Sequence, residues 1–89
     1  MRYKIKYEKD CLKYLKKLDR NTQVKIINAI SQLPFGDVKK LQGSIADYRL
    51  RVGNYRIIFS KDDKNIIISI IKIAPRGEVY TSYSRKHRG

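Results

Sequence analysis

Arg49, Arg51, Arg56, Arg76 and Tyr80 are the residues in this sequence whose types suit work on a phosphodiester. Cleaving RNA without a metal or a histidine needs fixed positive charge for a pentacovalent phosphate. It also needs a group that moves protons to and from the 2′ and 5′ oxygens. Planar guanidiniums match phosphate in bidentate geometry, but they hold their protons at ordinary pH. Tyr80 and Glu78 are the available proton carriers. A tyrosine of unperturbed pKa, about 10, is a serviceable acid and a poor base. The plainer reading of Tyr80 is an aromatic that packs or stacks, as most of the seven tyrosines must. For Glu78 it is a salt bridge to one of many nearby cations. Pro75 and Gly77 flank Arg76 and suggest a fixed turn that aims its side chain back toward the other arginines.

The stretch YRLRVGNYRIIF, Tyr48 to Phe59, positions three of these arginines. It has the pattern of a tight hairpin, with Gly53 and Asn54 supplying the positive φ angles of a two-residue turn. Pairing outward from that turn sets Val52 against Tyr55, Arg51 against Arg56, Leu50 against Ile57 and Tyr48 against Phe59. Alternation then gathers the apolar members on one side and leaves Arg51 opposite Arg56, with Arg49 on the diagonal. Like charges opposed in this way are destabilising, and the hairpin itself contains no acid. A surface that accepts this cost is suited to a polyanion. The alternative is an ordinary amphipathic hairpin whose arginines are its solvated face. A three-residue loop would separate the arginines, and a four-residue loop would keep Arg51 opposite Arg56.

Around the hairpin, Arg2 to Tyr7 alternates as a half-buried strand. The period then changes, and Cys11, Leu12, Leu15 and Leu18 form a helical stripe that ends near Leu18. Asp19 is placed to cap a second helix, with Val24, Ile26, Ile27, Ile30 and Leu33 as its buried side. Pro34 and Gly36 stop it. Two helices so closely joined must share one apolar surface, which only the sheet can offer. Pro34 to Ser44 reads as the longest loop and brings Lys39 and Lys40 near the arginine face. After a polar turn at Lys61 to Lys64, the run Asn65 to Ile73 is apolar enough for a strand covered on both faces. Through a four-residue loop, Ile66, Ile68 and Ile70 join the helix side, while Ile67, Ser69 and Ile71 floor a shallow groove beside the arginines. Thr81 to Gly89 is a basic tail holding Tyr83, Arg85, Lys86 and Arg88.

Eighty-nine residues make one domain, 1–89, with 81–89 as its tail. The balance of 21 basic against 8 acidic residues, net +13, favours nucleic acid, an anionic surface or an acidic protein as partner. No apolar run approaches a membrane span, and the start lacks the apolar stretch of a signal peptide, which argues for the cytoplasm. Cys11 is the only cysteine and His87 the only histidine. Internal disulfides, cysteine metal sites and Ser-His or Cys-His chemistry are therefore poor fits, and no cofactor or metal is implied. Cys11 falls in an apolar helical pattern, where it serves as a small hydrophobe.

The string KLQG at Lys40 to Gly43, then YRLRVGNYRIIF, an isoleucine-rich strand and PRGEVY ending at Tyr80 together resemble the RelE/ParE superfamily of bacterial toxins, in its RelE-like branch. The resemblance spans nearly the whole chain in order. It implies an α+β fold: a small curved antiparallel sheet with an N-terminal strand and a two-helix hairpin packed on one face. It also implies a cognate antitoxin in a hetero-oligomer and, in the RelE branch, a ribosome-dependent endoribonuclease that cuts messenger RNA by 2′-hydroxyl attack. By position, Arg56 and Arg76 match the phosphate-stabilising arginines, Tyr80 the near-terminal tyrosine, and Arg49 and Arg51 basic groove residues. Lys39, Lys40, Arg85 and Lys86 would add RNA contacts. The RelE branch has lysines, one a proposed proton acceptor, where this chain has Arg49 and Arg51. The YoeB-like branch has a histidine where this chain has Val79. A ParE-like toxin that poisons DNA gyrase without catalysis is the rival reading, and a module that binds operator DNA with its partner is a third.

Overall fold

The computed structural model describes residues 3–43 and 47–75. Within them β1 (Lys4–Tyr7) leads into α1 (Lys9–Lys17) and α2 (Arg20–Ser31). There follow β2 (Val38–Lys40), β3 (Asp47–Val52), β4 (Tyr55–Asp62) and β5 (Ile67–Pro75). The strands form one sheet in the order β1-β5-β4-β3-β2. The expected α+β class holds, with one refinement. β1 runs parallel to β5 while every other pair is antiparallel, so the sheet is mixed. Parallel neighbours need a long connection, and here the rest of the chain provides it.

The hairpin register is the two-residue one: Val52↔Tyr55, Arg51↔Arg56, Leu50↔Ile57 and Tyr48↔Phe59. Of the two loop residues only Gly53 takes positive φ, at 57°. That is the pattern of a II′ turn, in which the first central residue alone must be left-handed. Tyr48 and Phe59 stack across the strands with ring centroids 5.5 Å apart.

Asp19 caps α2 as expected: its carboxylate accepts from the Thr22 backbone N–H at 3.1 Å and from the Thr22 hydroxyl at 2.6 Å. The buried stripes are narrower than the sequence suggests. Cys11 and Leu15 of α1 and Ile26 and Ile30 of α2 are buried with Leu33. Leu12, Val24 and Ile27, expected inside, are 46%, 47% and 44% exposed. Each helix lies on one sheet and touches it along one line. A residue about 100° round from that line has nothing above it to be buried by.

Three other expectations change. The span read as one long loop contains β2, whose Val38, Lys39 and Lys40 pair with Leu50, Arg49 and Tyr48. Ile66 does not join the helix side but sits in the turn before β5 with φ 57°. The β4–β5 ladder also shifts register between Ile58 and Phe59, where Phe59 pairs with Ile70 and Ile58 with Lys72. Ile71 is the extra residue of this bulge. Unbroken alternation after Ile68 and Ile70 would turn Lys72 into the core. The bulge instead exposes Lys72 and buries Ile73, at 2% exposure.

The main core joins Cys11, Leu15, Ile26, Ile30 and Leu33 to Leu50, Ile57, Phe59, Ile68, Ile70 and Ile73 of the sheet. A second, smaller cluster lies on the other face, where Ile58 and Ala74 are buried with Leu41 and Ile71 packed on them.

Candidate functional site

Cross-strand partners share a face, so the register assembles the surface opposite the helices in rows. One row holds Arg51, Arg56 and Ala74. It extends past the end of β2 to Asp37, whose carbonyl accepts from the Arg51 N–H at 3.0 Å. The next row holds Lys39, Arg49, Ile58 and Lys72. Beyond it come Asp47, Ser60, Ser69 and Lys6. The smaller apolar cluster is the floor between these charges. Ile71 belongs to it, and Ser69 and Ile67 lie on the same face by register, as the sequence suggests. Lys39 stands beside Arg49, whereas Lys40 pairs with Tyr48 and so sits on the helix side of the edge strand.

The three hairpin arginines have three different surroundings. Arg49 is buried, with a side chain 9% exposed, and its Nη1 donates to the Asp37 carbonyl at 3.2 Å and to Asp37 Oδ1 at 3.3 Å. Arg51 is half-exposed, with Nε 3.9 Å from Asp37 Oδ2. Arg56 is buried at 6% exposure, and its Nη1 donates to the carbonyls of Gly53 at 3.3 Å and Tyr55 at 3.1 Å. The facing pair Arg51 and Arg56 is therefore relieved in two ways. One guanidinium is drawn back onto the turn and the other leans toward an acid. No described side-chain nitrogen or oxygen is both buried and without a partner.

Asp37 is the site residue that sequence reasoning missed. It precedes the only three residues of β2 in a stretch that looked like loop, and it is 12 positions from Arg49. The one local signal is the short Val38, Lys39, Lys40, Leu41 pattern beside it, too brief to mark a strand. Arg76, Glu78, Tyr80, Arg85 and Lys86 lie outside the described residues.

Two further groups lie away from this face. Cys11 is 2% exposed, its thiol donates to the Ile70 carbonyl at 3.5 Å, and burial pushes its pKa up to about 11. It is thus a neutral, inert filler at ordinary pH. Lys61, on the helix side, holds its ammonium 5.3 Å from the Tyr48 ring centre and 6.0 Å from that of Tyr3. The Tyr3 hydroxyl donates to Asp63 at 2.6 Å, and that bond raises the tyrosine's pKa.

Fold and site together define a small, strongly basic α+β protein with helices on one sheet face and a cationic groove on the other. The family model for the ParE toxin of the type II toxin–antitoxin system parDE matches residues 5–80. An Escherichia coli protein described as a RelE-like toxin is 28% identical over 95 residues, spanning 99% of this chain and 100% of the relative. The archaeal RelE in the crystal structure of the RelE–RelB complex from Pyrococcus horikoshii is 32% identical, with a TM-score of 0.74. That match covers 86% of this chain and 98% of the archaeal one. A double mutant of E. coli RelE in the free state shares the fold with a TM-score of 0.74 at 19% identity, over 98% of this chain and 99% of that one. The chain belongs to the RelE/ParE superfamily and is a toxin of a type II toxin–antitoxin system.

Proposed function

We propose that this toxin is a metal-independent endoribonuclease that cleaves messenger RNA on the ribosome. The observation that carries the reading is the gathering of Arg49, Arg51 and Arg56 with Lys39 and Lys72 around an apolar floor. Phosphates ride on the guanidiniums, while the floor leaves room for the less polar edge of a nucleotide. In the reaction the 2′ oxygen attacks the adjacent phosphorus and the P–O5′ bond breaks, leaving a 2′,3′-cyclic phosphate and a 5′ hydroxyl. One proton leaves the 2′ hydroxyl and another arrives at O5′.

In this scheme Arg56 and Arg76 stabilise the phosphate charge, and Arg49 and Arg51 position the backbone. Tyr80 orients or protonates near the scissile bond. Arg56 enters with its orientation already set by the turn carbonyls at Nη1. Its guanidinium carries three further N–H donors on Nη2 and Nε, and a donor fixed before reaction costs no reorganisation during it. Lys39, Arg85 and Lys86 extend the contact to RNA, whose affinity falls with salt because releasing condensed counterions is worth less as bulk salt rises. The partner is a small antitoxin with an acidic or amphipathic segment, as suggested by the RelE–RelB complex of the archaeal relative. Both partners act in the cytoplasm.

The ParE match favours a second reading, in which the toxin binds and poisons DNA gyrase with no chemistry of its own. Induction of the chain alone separates the two. Ribonuclease action arrests translation and leaves new transcript 5′ ends inside ribosome-bound codons. Broken DNA, an SOS response and intact messages would establish gyrase poisoning instead.

A further inference from the structure

We propose that Asp37 is a built-in counter-ion of the arginine face: its carboxylate holds the place of a phosphate between Arg49 and Arg51 and must be displaced when a polyanion binds. The inference rests on the reading of this face as a phosphate-binding surface. Asp37 Oδ1 is 3.3 Å from Arg49 Nη1, and Oδ2 is 3.9 Å from Arg51 Nε. Two oxygens of one planar anion thus address two neighbouring guanidiniums, as two oxygens of a phosphate would.

Three features suit this carboxylate to exchange rather than permanent pairing. Its side chain is 56% exposed, so it returns to water at little cost. Arg49 keeps a fixed acceptor when the carboxylate leaves, because its Nη1 also donates to the Asp37 main-chain carbonyl at 3.2 Å. That carbonyl is held in turn by the Arg51 N–H at 3.0 Å, which ties the backbone of Asp37 to β3 whatever its side chain does. The carboxylate therefore screens the mutual repulsion of Arg49 and Arg51 in the empty toxin and yields to a phosphate that brings more charge. Asp37 is a positioning residue: it keeps two arginines aimed at a common point without touching the reacting atoms.

The test is a binding titration of the full-length toxin and two variants against a single-stranded 2′-O-methyl RNA, which cannot be cleaved at its blocked 2′ oxygens. Inorganic pyrophosphate serves as a second probe, and each titration is repeated over a range of salt concentrations. Asp37→Asn keeps the shape and an acceptor but removes the competing charge. It should bind both probes more tightly, by about fivefold, since a pair with one half-exposed partner contributes on the order of 1 kcal/mol. Its RNA affinity should also fall more steeply with salt, by about 0.7 in the log–log slope for each further phosphate engaged. Asp37→Glu keeps the charge and should retain the wild-type slope, which a merely structural role for the side chain would not predict. Unchanged or weaker binding by a folded Asp37→Asn protein, with an unchanged slope, overturns the proposal. Tighter pyrophosphate binding without any RNA binding would uphold the counter-ion and remove the ribonuclease reading. RNA cleavage that persists while Asp37→Asn alters neither affinity nor slope would do the reverse.

Discussion

Arg51 and Arg56 face each other across the β3–β4 hairpin, yet only one of them is open to water. Arg56 is folded onto the carbonyls of Gly53 and Tyr55, so part of its charge is spent on holding the turn. Arg51 is half-exposed, with its Nε 3.9 Å from the carboxylate of Asp37. The two should therefore answer mutation differently. Arg56→Ala should lower the urea midpoint, by about 2 kcal/mol in stability, because two hydrogen bonds from a buried charged donor are lost. Arg51→Ala should stay within about 0.5 kcal/mol of the parent while still relieving toxicity. Paired denaturation curves and growth assays check both, and a folded, fully toxic Arg51→Ala protein would remove that residue from the site.

Gly53 and Ile66 share a positive φ of 57°, but only one of them is glycine. A Cβ at Gly53 would meet nothing within 4 Å, so Gly53→Ala carries only the conformational cost. That cost is roughly 1–3 kcal/mol. Ile66→Asn should run the other way and raise stability by about 1 kcal/mol, because asparagine tolerates this region far better than a β-branched residue. Thermal melts of the two variants should shift in opposite directions.

Ile30 and Ile27 test the narrow helix stripe. Ile30 is fully buried and Ile27 is 44% exposed. Ile30→Val should cost about 1 kcal/mol through a small core void. Ile27→Val should be nearly neutral. A cost at Ile27 equal to that at Ile30 would mean that the outer side of α2 is covered.

The Asp19 cap makes a signed pH prediction. Hydrogen bonds from the Thr22 hydroxyl, and then from its backbone N–H, hold the carboxyl below its ordinary value. A depressed folded pKa contributes stability above the unfolded value, near about 4, and that stability is lost as pH falls through the lower folded value. Asp62, lowered by Asn65 and by the backbone N–H groups of its turn, adds to the same acid limb. Urea midpoints should therefore fall from about pH 5 downward, and less steeply in Asp19→Asn, which caps without titrating.

The local features were legible in the sequence because they are set by neighbours a few bonds away. Gly53 marks the turn, and alternation on either side of it fixes Arg51 opposite Arg56. Asp19 just ahead of an apolar-periodic run marks a helix start. Of the apolar floor beside the arginines, Ile71 followed from strand parity, whereas Ile58, Ala74 and Leu41 did not. The face of Lys40, the partner of Arg49 and the turning-out of Lys72 were not legible. Each depends on which strand comes to lie alongside and in what register, a choice made by burial summed over the whole sheet. Asp37 reaches Arg49 only because β2 pairs with β3, and no pattern within either segment encodes that pairing. Sequence alone thus determined that this protein carries a ridge of arginines on one side of a sheet. Tertiary packing decided which of them are buried, which is exposed and which acid Arg49 and Arg51 meet, because burial and the approach of Asp37 depend on strands distant along the chain.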